Sequence, residues 1–176
     1  MIHLIIGPMF SGKSTELLRR LRRAKIANKE TILLKPTIDT RGNFTHDDID
    51  KPDIKNDIKF IFIDKLDNFD CTRYEVIGID EGQFFQNLSF FANKWADMGK
   101  EVIVAGLDAT SEQTPFEEIL NLVPFAEEVI KLSAICSKCG SEYGAFTYYK
   151  GSEKKGKIKV GGKDLYEARC RSCFKK

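Results

Sequence analysis

No stretch of this chain approaches the ~18 consecutive apolar residues of a membrane-spanning helix, so a helical membrane protein is excluded. The opening Met1-Ile2-His3-Leu4 has no basic segment ahead of its apolar residues, which argues against a secretory signal. No internal repeat is present, and there is little excess charge of either sign: 28 basic against 26 acidic residues, a formal net charge of +2. The expected compartment is the cytoplasm, where thiols stay reduced, so the five cysteines suggest metal ligands before disulfides. At 176 residues the chain can bury a core without disulfide staples, as one domain or as one domain with a small appendage.

The balanced charge hides an uneven distribution. Residues 1–130 carry 16 Lys and Arg against 22 Asp and Glu, whereas residues 131–176 carry 12 against 4. A basic tail can attract phosphate, or it can be a solvated lysine-rich loop, and composition alone leaves both readings open.

Gly7-Pro8-Met9-Phe10-Ser11-Gly12-Lys13-Ser14 fits G-x-x-x-x-G-K-[ST]. The apolar run Ile2–Ile6 precedes it and a helix-favouring stretch, 15–21, follows. Strand, glycine-bounded turn and helix N-terminus in that order suit a loop whose backbone N–H groups cradle phosphates. Lys13 would reach the β- and γ-phosphates, and the Ser14 hydroxyl would meet Mg²⁺. A nucleoside triphosphate is the ligand this setting points to.

Apolar runs at 2–6, 31–34, 60–63, 76–79, 102–105 and 129–132 read as strands, several with the Ile/Val content of parallel strands covered on both faces. Helical patterns lie between them, at 14–28 with Leu17, Leu21 and Ala24 on one face, and at 85–98, stopped by Gly99. Strands alternating with helices predict an open parallel α/β sheet flanked by helices. Residues 36–58, rich in aspartate with Pro36, Gly42 and Pro52, break the pattern and read as a long functional loop. Composition changes after Ser133, placing a boundary near 134 and dividing the chain into 1–133 and 134–176. His3, inside the first strand, reads as a hydrogen-bonded structural residue, and His46 is assigned no chemistry.

The run Val76-Ile77-Gly78-Ile79 ends in Asp80-Glu81. An acid at such a strand end holds Mg²⁺ in P-loop enzymes, which fits Asp80, and Glu81 beside it could take a proton from a hydroxyl nucleophile. Cys136-x-x-Cys139 and Cys170-x-x-Cys173, separated by 30 residues, read as the two knuckles of a closed Cys₄ zinc site that is structural and does no catalysis. A redox dithiol is the weaker reading, since one knuckle would serve for that. Cys71 is left over as a buried, inert thiol.

Together these residues resemble the cellular (type II) thymidine kinase family. The resemblance rests on the segment from Gly7 to Leu17, Asp39-Thr40-Arg41, the segment Ile79 to Phe85 and the paired knuckles. Asn121-Leu122-Val123-Pro124, Lys131-Leu132-Ser133-Ala134 and Val160-Gly161-Gly162 shortly before Tyr166 add to it, so that it spans nearly the whole chain. It implies a P-loop α/β domain with a small zinc domain that carries a "lasso" loop. It implies ATP- and Mg²⁺-dependent phosphorylation of the 5′-hydroxyl of thymidine, giving dTMP for pyrimidine salvage, with deoxyuridine as a further acceptor. Glu81 carries over as general base, and Asp39, Thr40, Arg41, Asp80 and Gln83 join the P-loop around ATP, with Arg41 stabilising transferring charge. Met9, Phe84, Leu107 and Phe116 match the thymine pocket. Lys157, Ile158, Lys159, Val160 and Gly161 match the lasso, whose backbone reads the base edge, with Tyr166 beside it. The zinc would then anchor a loop that closes over the nucleoside and excludes water. A homotetramer and feedback inhibition by dTTP are implied as well, with no membrane or nucleic-acid partner. Two features depart from the family pattern: Ser111 stands where an aromatic is usual, and the segment between Cys139 and Thr147 is one residue longer.

Two other readings compete. A nucleoside monophosphate kinase with a zinc lid would need mid-chain knuckles and a further glycine in the P-loop. A nucleic-acid-stimulated P-loop ATPase would use the basic zinc segment to grip phosphates.

Overall fold

The computed structural model describes residues 1–38, 58–151 and 161–175. Six parallel strands form one sheet in the order β3-β2-β4-β5-β1-β6. They are β1 (Ile2–Gly7), β2 (Thr31–Pro36), β3 (Phe60–Ile63), β4 (Val76–Ile79), β5 (Glu101–Leu107) and β6 (Glu128–Lys131). All six coincide with the expected apolar runs to within two residues. Burial on both faces holds for β2 and β4, whereas β6, at the sheet edge, alternates between half-buried and exposed positions.

Period-two alternation divides the strand side chains between two cores. Leu4, Ile6, Ile32, Leu34, Val102 and Val104 face one way, into a cluster with Leu88, Ala92 and Trp95 of α2 (Leu88–Asp97) and Ile119 of α3 (Glu117–Leu120). Ile5, Leu33, Ile103 and Ala105 face the other way, against Leu17, Leu18, Leu21 and Ala24 of α1 (Lys13–Ile26). The α1 helix lies so close to β4 that a Cβ on Gly78 would fall 2.6 Å from the Leu21 side chain. The result is three layers, with the sheet between helices.

The second expected helix begins three residues later than its sequence pattern. Gly82–Phe84 forms a 3₁₀ turn, Phe85 is extended and almost fully buried, and Asn87 is left-handed with φ 57°. Glu118 then caps α2 from a distance, its carboxylate accepting from the N–H groups of Asn87 (3.2 Å) and Leu88 (3.0 Å). Nothing local in the sequence marks such a cap. The helix stops where expected: Gly99 has φ 83° and donates to the Ala96 carbonyl at 2.9 Å.

Beyond β6 the chain forms a two-stranded antiparallel ribbon of β7 (Phe146–Tyr149) and β8 (Tyr166–Arg169), followed by α4 (Arg171–Phe174). Cys71 lies in the main core, as expected of an inert thiol. His3 donates or accepts through Nδ1 at 2.9 Å from a Glu128 carboxylate oxygen, a structural contact between β1 and β6.

Candidate active site

The functional side chains collect at the carboxyl ends of β1, β4 and β5, where open parallel sheets place their ligands. Gly7 ends β1 with φ 146°, and a Cβ there would lie 2.4 Å from the Leu132 carbonyl oxygen. Only glycine fits that first turn. Gly12, at φ 82°, opens α1 without any side-chain cap, which leaves the helix N-terminus suited to an anion. Inside the loop, Ser11 Oγ and Lys13 Nζ both donate to the Pro8 carbonyl, at 2.8 and 2.7 Å. Phe10 takes a left-handed conformation, φ 66°, at the crest of the loop.

Ser14 Oγ donates to Asp80 Oδ1 at 2.9 Å, which joins the start of α1 to the end of β4. The second carboxylate oxygen of Asp80 lies 3.4 Å from Lys35 Nζ, and both residues are buried. A hydroxyl and a carboxylate held together beside a phosphate loop are the hard oxygen donors that Mg²⁺ takes, along with waters and substrate phosphates. These two residues fit that ion. Sequence reasoning missed Lys35, whose one signal is a lysine directly after the apolar run Thr31-Ile32-Leu33-Leu34 and before Pro36.

Glu81 follows Asp80 in a left-handed conformation, φ 52° and ψ 42°, and its backbone N–H donates to Asp80 Oδ1 at 3.1 Å. Glu81 Oε2 accepts from Gln83 Nε2 at 2.6 Å, and Gln83 Oε1 accepts from the Leu107 N–H at 3.0 Å. Leu107 lies opposite Gly7 in the β1–β5 register. The chain from Asp108 doubles back through an Ala109–Pro115 bridge, and the Phe116 N–H donates to the Asp108 carbonyl at 3.1 Å. Phe116 is therefore buried in the core cluster that Leu107 packs against, while Phe84 is half-buried in the 3₁₀ turn.

Met9 is buried, and its backbone N–H donates to Thr147 Oγ1 at 3.0 Å. The ribbon is thus fastened to the phosphate loop through a buried threonine that sequence reasoning did not single out. Thr147→Val keeps the shape and leaves that N–H unpaired, which should cost about 1–3 kcal/mol. Thermal unfolding should show this loss. Further along the ribbon, the Tyr149 and Tyr166 rings stand 5.4 Å apart, and Gly161 packs against Leu165. Asp39, Thr40, Arg41 and His46, together with Lys157, Ile158, Lys159 and Val160, lie outside the described residues.

The four thiols of Cys136, Cys139, Cys170 and Cys173 lie within 4.8 Å of one another. The 3.7 Å between the Cys139 and Cys170 sulfurs matches tetrahedral ligation at about 2.3 Å from a zinc. Gly140, at φ 74°, turns the first knuckle and donates to the Cys136 carbonyl at 2.9 Å. Backbone donation from Cys170 and Cys139 holds the Cys136 thiol down at about 6. Crowding by the Cys139 thiol, then burial, pushes Cys173 up to about 12. Thiols this close cannot all ionise without a cation among them, a charge that Zn²⁺ would supply. The four residues fit structural zinc, and their closed set leaves no position for a substrate.

The P-loop, the Ser14–Asp80 contact and the parallel sheet define a nucleotide-binding phosphotransferase of the P-loop class. A family model described as thymidine kinase matches residues 1–174. The chain is 46% identical to the thymidine kinases of monkeypox virus and of vaccinia virus strain Western Reserve, and 47% identical to that of raccoon poxvirus. Each match covers 98% of this chain and 96% of the relative. The chain belongs to the thymidine kinase family. Among the described residues, no helix is long and apolar enough to cross a membrane.

Proposed function

We infer that this protein transfers the γ-phosphate of ATP to the 5′-hydroxyl of thymidine, giving dTMP and ADP. The observation that carries the reading is the Ser14–Asp80 contact beside Lys13, with Glu81 next in the chain. Around this point a triphosphate can meet the P-loop on one side, and a nucleoside can meet Met9, Phe84, Leu107 and Phe116 on the other.

As the 5′-oxygen attacks the γ-phosphorus, Glu81 accepts its proton, the bond to the β–γ bridging oxygen breaks, and ADP departs with the electrons. Lys13 and the N-terminus of α1 hold the phosphates, and Arg41 is assigned to the charge on the transferring group. Mg²⁺, when bound at Ser14 and Asp80, neutralises charge on the β- and γ-oxygens. Residues 134–176 act as a separate zinc-held unit whose segment 157–161 covers the base and whose Tyr166 stands beside it. A homotetramer, feedback inhibition by dTTP and a cytoplasmic location complete the reading.

Nucleoside specificity tests it. The 5-methyl group in an apolar pocket is worth only ~1–3 kcal/mol, so deoxyuridine should be accepted less well than thymidine. A purine presents the wrong donor pattern to a backbone that reads the base edge, and unpaired buried groups cost more than a missing methyl. A kcat/KM for deoxyadenosine or deoxyguanosine within about tenfold of thymidine would overturn the assignment. ATP turnover that rises with added DNA or RNA, and falls steeply with salt, would favour a nucleic-acid-stimulated ATPase instead.

A further inference from the structure

We propose that Gln83 is a positioning residue for the general base, a role that rests on the reading of Glu81 given above. Gln83 is 7% exposed, and both ends of its amide are committed to protein groups. The Leu107 N–H can only donate, so the amide oxygen must face it, at 3.0 Å. That fixes the rotation of the amide and sends Nε2 toward Glu81 Oε2, at 2.6 Å. The side chain lies against a glycine: a Cβ on Gly106 would fall 3.0 Å from the Gln83 amide oxygen and 2.4 Å from the Ile119 side chain.

The left-handed backbone of Glu81 is uncommon for a residue with a side chain, and Gln83 holds one oxygen of the carboxylate carried on that turn. The same amide grips the backbone of Leu107, a wall of the nucleoside pocket. The wall against which the nucleoside rests and the group that takes its proton are therefore held in register by one side chain. Both ends of the amide are thus engaged by Glu81 and Leu107.

The test is the set Gln83→Met, Gln83→Glu, Glu81→Gln and the double variant Glu81→Gln/Gln83→Met. Gln83→Met should lower kcat about a hundredfold, the scale of a misplaced reacting group. The Kd of a non-hydrolysable ATP analogue should stay within about twofold of the parent, since the loss lies in turnover and not in nucleotide binding. In the Glu81→Gln background the same change should cost nothing further in kcat, because residues acting as a unit are not additive. If Gln83→Met proves unstable, Gln83→Glu preserves the acceptor for Leu107 and reads the Glu81 contact alone, with the same expected loss of kcat. A kcat within about threefold of the parent in a folded Gln83 variant overturns the proposal. So does a further loss in the double variant, or a loss explained by weaker ATP binding. An active Glu81→Gln enzyme sinks the base assignment itself, whereas an inactive one beside a fully active Gln83→Met sinks only the role of Gln83.

Discussion

Glu81→Gln is expected to lower nucleoside phosphorylation by about 10²–10⁴-fold while ATP still binds, because that is the usual contribution of a positioned base. The substitution is nearly isosteric, and its amide oxygen can still accept from Gln83 Nε2, so the 3₁₀ turn Gly82–Phe84 should keep its shape. The Ser14–Asp80 contact and the P-loop lie outside the change, which is why triphosphate affinity should survive. What is lost is an oxygen able to take the 5′-hydroxyl proton. Single-turnover measurements at saturating ATP separate this from slow product release. A fall of less than about tenfold in a folded variant would move the base elsewhere.

The layout of this enzyme was largely legible in its sequence because the parallel sheet is buried on both faces in its central strands. Runs such as Val76–Ile79 then carry no polar residue that could be mistaken for a surface, and the P-loop marks which strand end holds the phosphates. The cysteine knuckles were legible because spacing alone brings two thiolates to one ion. What stayed hidden depends on contacts between residues far apart in sequence. Thr147 reaches Met9 across 138 positions, and Glu118 caps α2 from 30 residues beyond its first residue. Gln83 shows the same limit: only the positions of Leu107 and Gly106 reveal where its amide goes. Lys35 was hidden for a different reason. A lysine near the end of a strand reads as a solvated head on an aliphatic stem, yet here it is buried against Asp80.

Removing the zinc, or one of its ligands, is expected to produce the second large effect. The described part of the chain beyond β6 has almost no apolar core of its own, since its buried cluster consists of Cys136, Cys170 and Cys173. A unit of that kind draws its stability from the metal, for which structural sites supply about 10–16 kcal/mol in small zinc modules. The six-stranded sheet keeps two full hydrophobic clusters that contain none of the four cysteines. Cys136→Ser or chelation should therefore loosen residues 134–175 first and leave the sheet folded. Hydrogen exchange would show protection lost in β7 and β8 and retained in β1, β4 and β5. Because Thr147 on β7 fastens the ribbon to the Met9 N–H, that loosening also releases the phosphate loop at Met9, a residue we propose meets the nucleoside. The thymidine KM should rise by about tenfold or more, the cost of losing that buried hydrogen bond beside the proposed nucleoside site. ATP affinity should change far less, since the described P-loop contacts of Lys13 and Ser14 come from residues before β6. If a chelator extracts the zinc and thymidine binding is unchanged, the ribbon is not what holds the nucleoside, and Thr147 is only a structural tie.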